Sequence, residues 1–400
     1  MYLVVARHAN YDTVRSDNFN LNEGLNIRYI QVDFEPPRGD AAIQNPANEQ
    51  TYNFLKSKRF RLGIAEIDQS SGFALFQQLG IKNMIATSNT PVISPYYHLL
   101  GMPMPYEVPE QFTAQPDDGF ANSQIRRRGS HRQNENMNEI RRLINIYKQE
   151  YENEFFQQNS LPPLWQIIAN IRYLFINHTQ IAAYPRPINQ KIKFIGGIDI
   201  QQQYRAMFYS KIMTNNAIQR VWAWDFNHLN ESNCVVIFTI GTVVTFLGIT
   251  QYQLISIFNA FAQHENCYFF IRADHHIERY VSNGSVQVPQ NALYAGVPVI
   301  CIPFFGDQRY NASVVEYLNL GMWVSAPNLE NEFQIAVNNL LDESNQYLAR
   351  ANEFAVRLHT QNQENSPEQI FISAVRNVIN TNVSFADRVQ VGEPRFVHQK

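Results

Sequence analysis

Residues 292–312 read ALYAGVPVICIPFFGDQRYNA, and their order decides the fold class. A short helical stretch closes at Gly296, and a near-continuous apolar run follows over Val297–Phe305. A polar exit, Gly306-Asp307-Gln308, then leads into another helical stretch from Asn311. An apolar run without alternation predicts a strand buried on both faces, as in a parallel sheet covered by helices. In such sheets ligands bind outside the carboxyl ends of the strands, and Asp307 and Gln308 fall at that end. A carboxylate beside an amide offers acceptors and donors that suit a polyhydroxylated ligand. A Gly-Asp turn after a buried strand needs no ligand at all. The residues alone leave both readings open.

The same rhythm extends in both directions. Downstream, MWVSAP (322–327) predicts a strand after a helix over 311–321 that Gly321 caps, and helices follow over 330–341, 343–359 and from Pro367. Upstream, CVVIFTIGT (234–242) and CYFFIRAD (267–274) predict strands separated by a helix over 251–263. The first of these puts Gly241 and Thr242 at its exit, and QNALYAG (290–296) is a short helix. The first half alternates likewise. Strands are expected over 2–7, 27–34, 60–68, 83–89 and 173–179, with helices over 48–58, 72–80 and 133–157. Between the halves, AAYPRPINQKIKFIGGI (182–198) carries two prolines and a Gly-Gly pair, the composition of a linker. The prediction is an α/β chain of two compact halves with parallel sheets.

Composition removes several function classes. With 32 basic against 35 acidic residues, the net charge of −3 argues against a nucleic-acid partner held by phosphate contacts. The basic run IRRRGSHR (125–132) reads as a solvated loop. Neither apolar stretch 235–250 nor 291–306 reaches the roughly 18–20 continuous apolar residues of a membrane span. MYLVVARHANYD holds too short an apolar run for a secretory leader, so the chain reads as soluble as written, in an unknown compartment. Cys234, Cys267 and Cys301 have no metal-ligand spacing and read as small core hydrophobes. Phe73, Phe76, Tyr96 and Tyr97 either line an apolar pocket or form aromatic core.

Residues 291–324, NALYAGVPVICIPFFGDQRYNASVVEYLNLGMWV, resemble the C-terminal part of the signature of the UDP-glycosyltransferases, with a flavour of the nematode glucuronosyltransferase-like members. Four further segments agree in order: FRLGIAEIDQSSGFALFQQLGIKNMIATSN, YPRPINQKIKFIGGI, VVIFTIGTVV and QVPQ at 287–290. The resemblance implies a GT-B fold of two facing Rossmann-like domains. An acceptor domain is expected over 1–190, a UDP-sugar donor domain over 205–373 and a polar tail over 374–400. It implies transfer of glucuronic acid or glucose from a UDP-sugar to a small lipophilic acceptor, by direct displacement with inversion and without a metal. Asp307 and Gln308 then hold the sugar hydroxyls, Gly241 and Thr242 lie near the diphosphate, and Pro289 and Gln290 end the uridine-binding element. Another GT-B transferase or a sugar-nucleotide epimerase fits the Asp-Gln after an Ile-Pro-Phe-Phe strand less well.

The sequence also departs from that pattern. Gln287 stands where the family has a stacking Trp, and no His-Gly-Gly occurs between 274 and 297. His275 and His276 read as loop residues. YLVVARHANYD matches the family's second strand better than its first, so the first strand with its catalytic His is expected to be missing, as is the C-terminal membrane anchor. His8 is the nearby substitute for the base, and Glu66 is the expected supporting carboxylate, with Asp68 second. The alternative expectation is therefore a family member with impaired catalysis that binds sugar nucleotide weakly or not at all.

Overall fold

The computed structural model describes residues 2–8, 28–34, 49–68, 70–91, 94–103, 106, 108–119, 129–151, 161–198, 234–239, 249–272, 288–304 and 307–381. Side chains are described for all of these except 2–8, 28–34, 129–132, 150, 239, 270–272 and 288–291.

In the first half, β1 (Tyr2–His8) and β2 (Arg28–Phe34) form a parallel pair with His8 opposite Phe34. A separate four-stranded parallel sheet follows in the order β3 (Gly63–Glu66), β4 (Met84–Ser88), β5 (Tyr173–Ile176), β6 (Ile192–Phe194). β4 lies inside this sheet, and all its residues but one are buried, which is why MIATS reads as an unbroken small and apolar run. Helices α1 (Glu49–Lys56), α2 (Ser70–Gln78), α3 (Ser94–Leu99), α4 (Gly129–Tyr151) and α5 (Leu164–Ala169) accompany these strands. The first core joins Phe73 of α2, Met84 and Ala86 of β4, Tyr96 and Tyr97 of α3, Ile168 of α5 and Leu174 of β5. Phe73, Tyr96 and Tyr97 are thus core rather than pocket lining.

The second half holds two short parallel pairs, β7 (Cys234–Thr239) with β8 (Cys267–Arg272), and β9 (Val299–Cys301) with β10 (Gly321–Trp323). Its helices are α6 (Gln251–Ala262), α7 (Val288–Ala295), α8 (Gln308–Tyr317), α9 (Leu329–Leu341), α10 (Tyr347–Glu364) and α11 (Pro367–Asn380). α6 starts on a capping box: Thr250 Oγ1 accepts the Gln253 N–H, and Gln253 Oε1 accepts the Thr250 N–H. Phe238, Phe261, Phe333 and the flanking Ile300, Ile302 and Phe304 make a second core.

Several expectations change. The 182–198 segment is not a free linker, because its Ile192–Phe194 form β6, the edge strand of the four-stranded sheet. Gly321 does not cap α8; Asn319, at φ +57°, takes the left-handed position, and Gly321 opens β10. Cys234 and Cys267 are not separate core thiols. They face each other across the β7–β8 ladder and are joined by a disulfide, with a Cα–Cα distance of 4.5 Å. Residues 374–380 continue α11 instead of beginning a polar tail. Ala374 and Val378 of α11 are buried against Ile85 and Phe175 of the first sheet, and Asn83 Nδ2 donates to the Val378 carbonyl.

Candidate functional site

The donor-side residues lie where β9 gives way to α8. Val299–Cys301 is held in parallel register by Gly321–Trp323, and beyond it Ile302 and Phe304 sink into the second core. The Phe304 N–H donates to Gln308 Oε1 at 2.8 Å, so Gln308 ties the strand exit to the first turn of the helix. Asp307 precedes it with φ −78° and ψ −3°, and its side chain caps no helix N–H. Its Oδ2 accepts from Asn311 Nδ2 at 3.1 Å. Burial raises its pKa, against the hydrogen bonds from Asn311 and its own backbone N–H. Asp307 and Gln308 follow the carboxyl end of β9, which is three half-buried residues, Val299–Cys301, where the sequence predicts a buried strand over 297–305.

Glu66 occupies the corresponding edge of the first sheet, at the end of β3. Its Oε2 accepts from Thr87 Oγ1 at 2.8 Å and its Oε1 from the Asn89 N–H at 2.8 Å. Burial raises its pKa, those two bonds lower it, and the charge of Asp68 raises it again. Next to it, Asn177 Nδ2 donates to Asn89 Oδ1 at 2.8 Å, which links the exits of β4 and β5. His178 follows, buried and neutral; desolvation holds its pKa down to about 4 against the bond its Nδ1 donates to the Thr179 carbonyl. Asn89, Asn177 and His178 escaped the sequence reading. Their signal was the polar residues directly behind the apolar runs of IATSNT and LFINHT.

The remaining candidates are less completely placed. His8 ends β1, in a pair of strands separate from the sheet that carries Glu66, and its side chain lies outside the described residues. Pro289 and Gln290 fall in the first turn of α7 with their side chains undescribed, and Gly241 and Thr242 lie outside the described residues beyond the end of β7. The sequence between 274 and 287, with His275 and His276, and residues 125–128 of the basic run are likewise outside, whereas 129–132 of that run open α4 and are not loop. Among the described residues no group of three or more His, Cys, Asp or Glu is placed to hold a metal ion. No described helix is long and apolar enough to cross a membrane.

A family model described as UDP-glucoronosyl and UDP-glucosyl transferase matches residues 276–359, the stretch that contains β9, Asp307 and α8. Putative UDP-glucuronosyltransferase ugt-47 of Caenorhabditis elegans is 21% identical over 311 residues, covering 69% of this chain and 54% of that protein. Putative UDP-glucuronosyltransferase ugt-46 of the same organism is 23% identical over 313 residues, covering 68% and 54%. These matches support membership of the UDP-glycosyltransferase family. The chain spans about half the length of these two UDP-glycosyltransferase relatives. Among solved structures, Os79 from O. sativa in complex with UDP superposes with a TM-score of 0.52 at 13% identity, over 88% of each chain. Os79 in complex with UDP and deoxynivalenol-3-glucoside gives 0.53 at 13% identity, over 94% of this chain and 93% of that one. At such identity the likeness concerns the fold, which is that of the GT-B glycosyltransferases, with short parallel sheets.

Proposed function

We propose that this chain binds a UDP-sugar at the exit of β9 and transfers the sugar to a small lipophilic acceptor held by the first half. The carrying observation is the position of Asp307 and Gln308 at the carboxyl end of a parallel strand, within the segment that the family model matches. Asp307 accepts hydroxyl hydrogen bonds from the sugar, and Gln308 fixes the strand exit beside it. Gly241 and Thr242 approach the diphosphate, and Pro289 and Gln290 approach the uridine. The acceptor half is assigned to 1–190 and the donor half to 205–373, with β6 in the first sheet and α11 packed against it. Glu66 supports the base that takes the acceptor hydroxyl's proton, with His8 as base candidate. The new oxygen–carbon bond then forms as the bond to UDP breaks, with inversion and with glucuronic acid or glucose as the sugar.

The absence of His-Gly-Gly between 274 and 297 favours a second reading, a relative with a weakened donor site. A helix N-terminus behind such a glycine turn is a ready anion site, and without it the diphosphate loses a holder. Calorimetric titration of the chain with UDP and with UDP-glucuronic acid, beside Asp307→Ala, separates the two. Binding that Asp307→Ala weakens for the UDP-sugar more than for UDP supports the transferase reading. A folded chain that binds neither nucleotide overturns it in favour of the second.

A further inference from the structure

α8, the helix that begins at Gln308, is gripped along its length by residues of the first half and of the 182–198 segment. Tyr184 Oη donates to the Ser313 carbonyl at 3.0 Å, and its ring meets those of Tyr310 and Tyr317 at 5.8 and 4.7 Å. On another side Glu316 accepts the N–H groups of Asp117 and Gly119 at 3.3 and 3.4 Å. Gly119 comes so close that a Cβ there would lie 2.2 Å from the Ser313 carbonyl oxygen. Close to the candidate sugar site, Arg309 Nη1 donates to the Phe112 carbonyl at 3.5 Å, and the Arg186 guanidinium carbon stands 5.5 Å from the centre of the Tyr310 ring. Tyr310 is fully buried, in the same helical turn as Asp307 and Gln308.

Arg186 is itself fixed from the other side. Its side chain is 4% exposed; Nη1 donates to Glu110 Oε1 at 2.9 Å and to Ser94 Oγ at 3.3 Å, and Nη2 donates to the Pro109 carbonyl at 3.1 Å. Ser94 Oγ also donates to Glu110 Oε1 at 2.5 Å, so one carboxylate oxygen gathers both donors. Pro185 and Pro187 flank the arginine and restrict the backbone that presents it. A planar fork bonded at its edge and covered by a tyrosine face has one arrangement, which lysine cannot reproduce.

From these contacts we infer that Arg186, held by Glu110, is a positioning residue that sets where Asp307 and Gln308 stand relative to the first half. This rests on the sugar-binding reading of Asp307. The grip acts through Tyr310 on the helix and touches no ligand, so its loss displaces the sugar contacts and spares those to the nucleotide. Misplacement of a contact group by about 1 Å is enough to cost one to two orders of magnitude in a positioned interaction.

The test is the ratio of the dissociation constants of UDP and UDP-glucuronic acid, by calorimetry on the full chain, for wild type, Asp307→Ala, Arg186→Lys and Glu110→Gln. Arg186→Lys and Glu110→Gln are expected to lower the ratio by about tenfold, with UDP affinity changed by less than about twofold. General unfolding would lower both affinities together. The double variant Arg186→Met with Glu110→Leu leaves neither charge stranded and carries the test if the single variants do not fold. A ratio that Asp307→Ala lowers and the folded Arg186 and Glu110 variants keep overturns this inference alone. A wild-type ratio that Asp307→Ala leaves unchanged overturns the sugar-binding reading, and this inference with it.

Discussion

The Tyr294 hydroxyl donates to the Gly196 carbonyl at 2.9 Å, and so joins α7 to the segment that leaves the first sheet. The same hydroxyl accepts from Asn362 Nδ2 at 2.9 Å, which adds α10 to the junction. Gly197 adjoins it at φ +81°, and a Cβ there would lie 2.6 Å from Tyr294 Oη. Tyr294→Phe removes two buried bonds and strands both partners, at a cost of about 1–3 kcal/mol or more. Gly197→Ala meets both the left-handed backbone and the hydroxyl, and is expected to cost more. Urea midpoints of the two variants at constant slope check the order.

Glu316 and His178 give stability a defined pH profile. Burial raises the Glu316 pKa from 4.5 to about 8, despite the N–H groups of Asp117 and Gly119, and Asp117 and Asp118 add to the rise. Between those values the folded chain holds a proton that the unfolded chain has released, so stability falls as pH rises, by about 1.4 kcal/mol per unit. His178 acts oppositely: its pKa falls from 6.5 to about 4, and between those values stability rises with pH. The two slopes cancel from about pH 4.5 to 6.5, and from there to pH 8 Glu316 alone removes about 2 kcal/mol. Relative to wild type, Glu316→Gln is expected to flatten the upper limb. His178→Gln is expected to start the decline near pH 4.5. Denaturant titrations at stepped pH measure both.

The Cys234–Cys267 pairing predicts a thiol count. Under denaturing, non-reducing conditions an alkylating reagent should label Cys301 alone, and after reduction all three cysteines. The bridge closes a loop with a sequence separation of 33, for which chain entropy gives about 3–4 kcal/mol. Reductant should lower the unfolding midpoint accordingly, and labelling of three thiols without reductant would contradict the pairing. Inside the fold Cys301 is a poor nucleophile, because burial and then Glu316 push its thiol up to about 12.

α11 supplies a further test. Val378 is 1% exposed against the first sheet, whereas Arg376 on the same helix is exposed. Val378→Asp buries an unpaired carboxylate and should cost about 3 kcal/mol or more. Arg376→Asp should stay within about 0.5 kcal/mol. Equal effects in thermal unfolding would mean that the helix is not docked there.

Much of this was legible because buried strands write themselves in apolar residues. MIATS and YLFI stand out from their surroundings, whereas the equally apolar CVVIFT pairs, among the described residues, only with β8 and leaves Val235 and Ile237 exposed. What stayed hidden depends on residues far apart in sequence. Cys234 and Cys267 each look like core until the β7–β8 register sets them opposite. Arg186 lies between two prolines and reads as part of a linker, and nothing local ties it to Glu110 or Tyr310. The end of α8 was misread because a glycine two residues past the left-handed Asn319 drew the cap to itself.

The return of α11 to the first sheet has a mechanical consequence. The chain leaves that sheet after β6 at the Gly196–Gly197 turn, and α11 is back on it where Phe371 meets Phe175 at 4.9 Å. α8 lies between these two fastenings and is itself held by Tyr184 and Gly119. A swing that carried Asp307 away from the first half would have to break those bonds before it could begin.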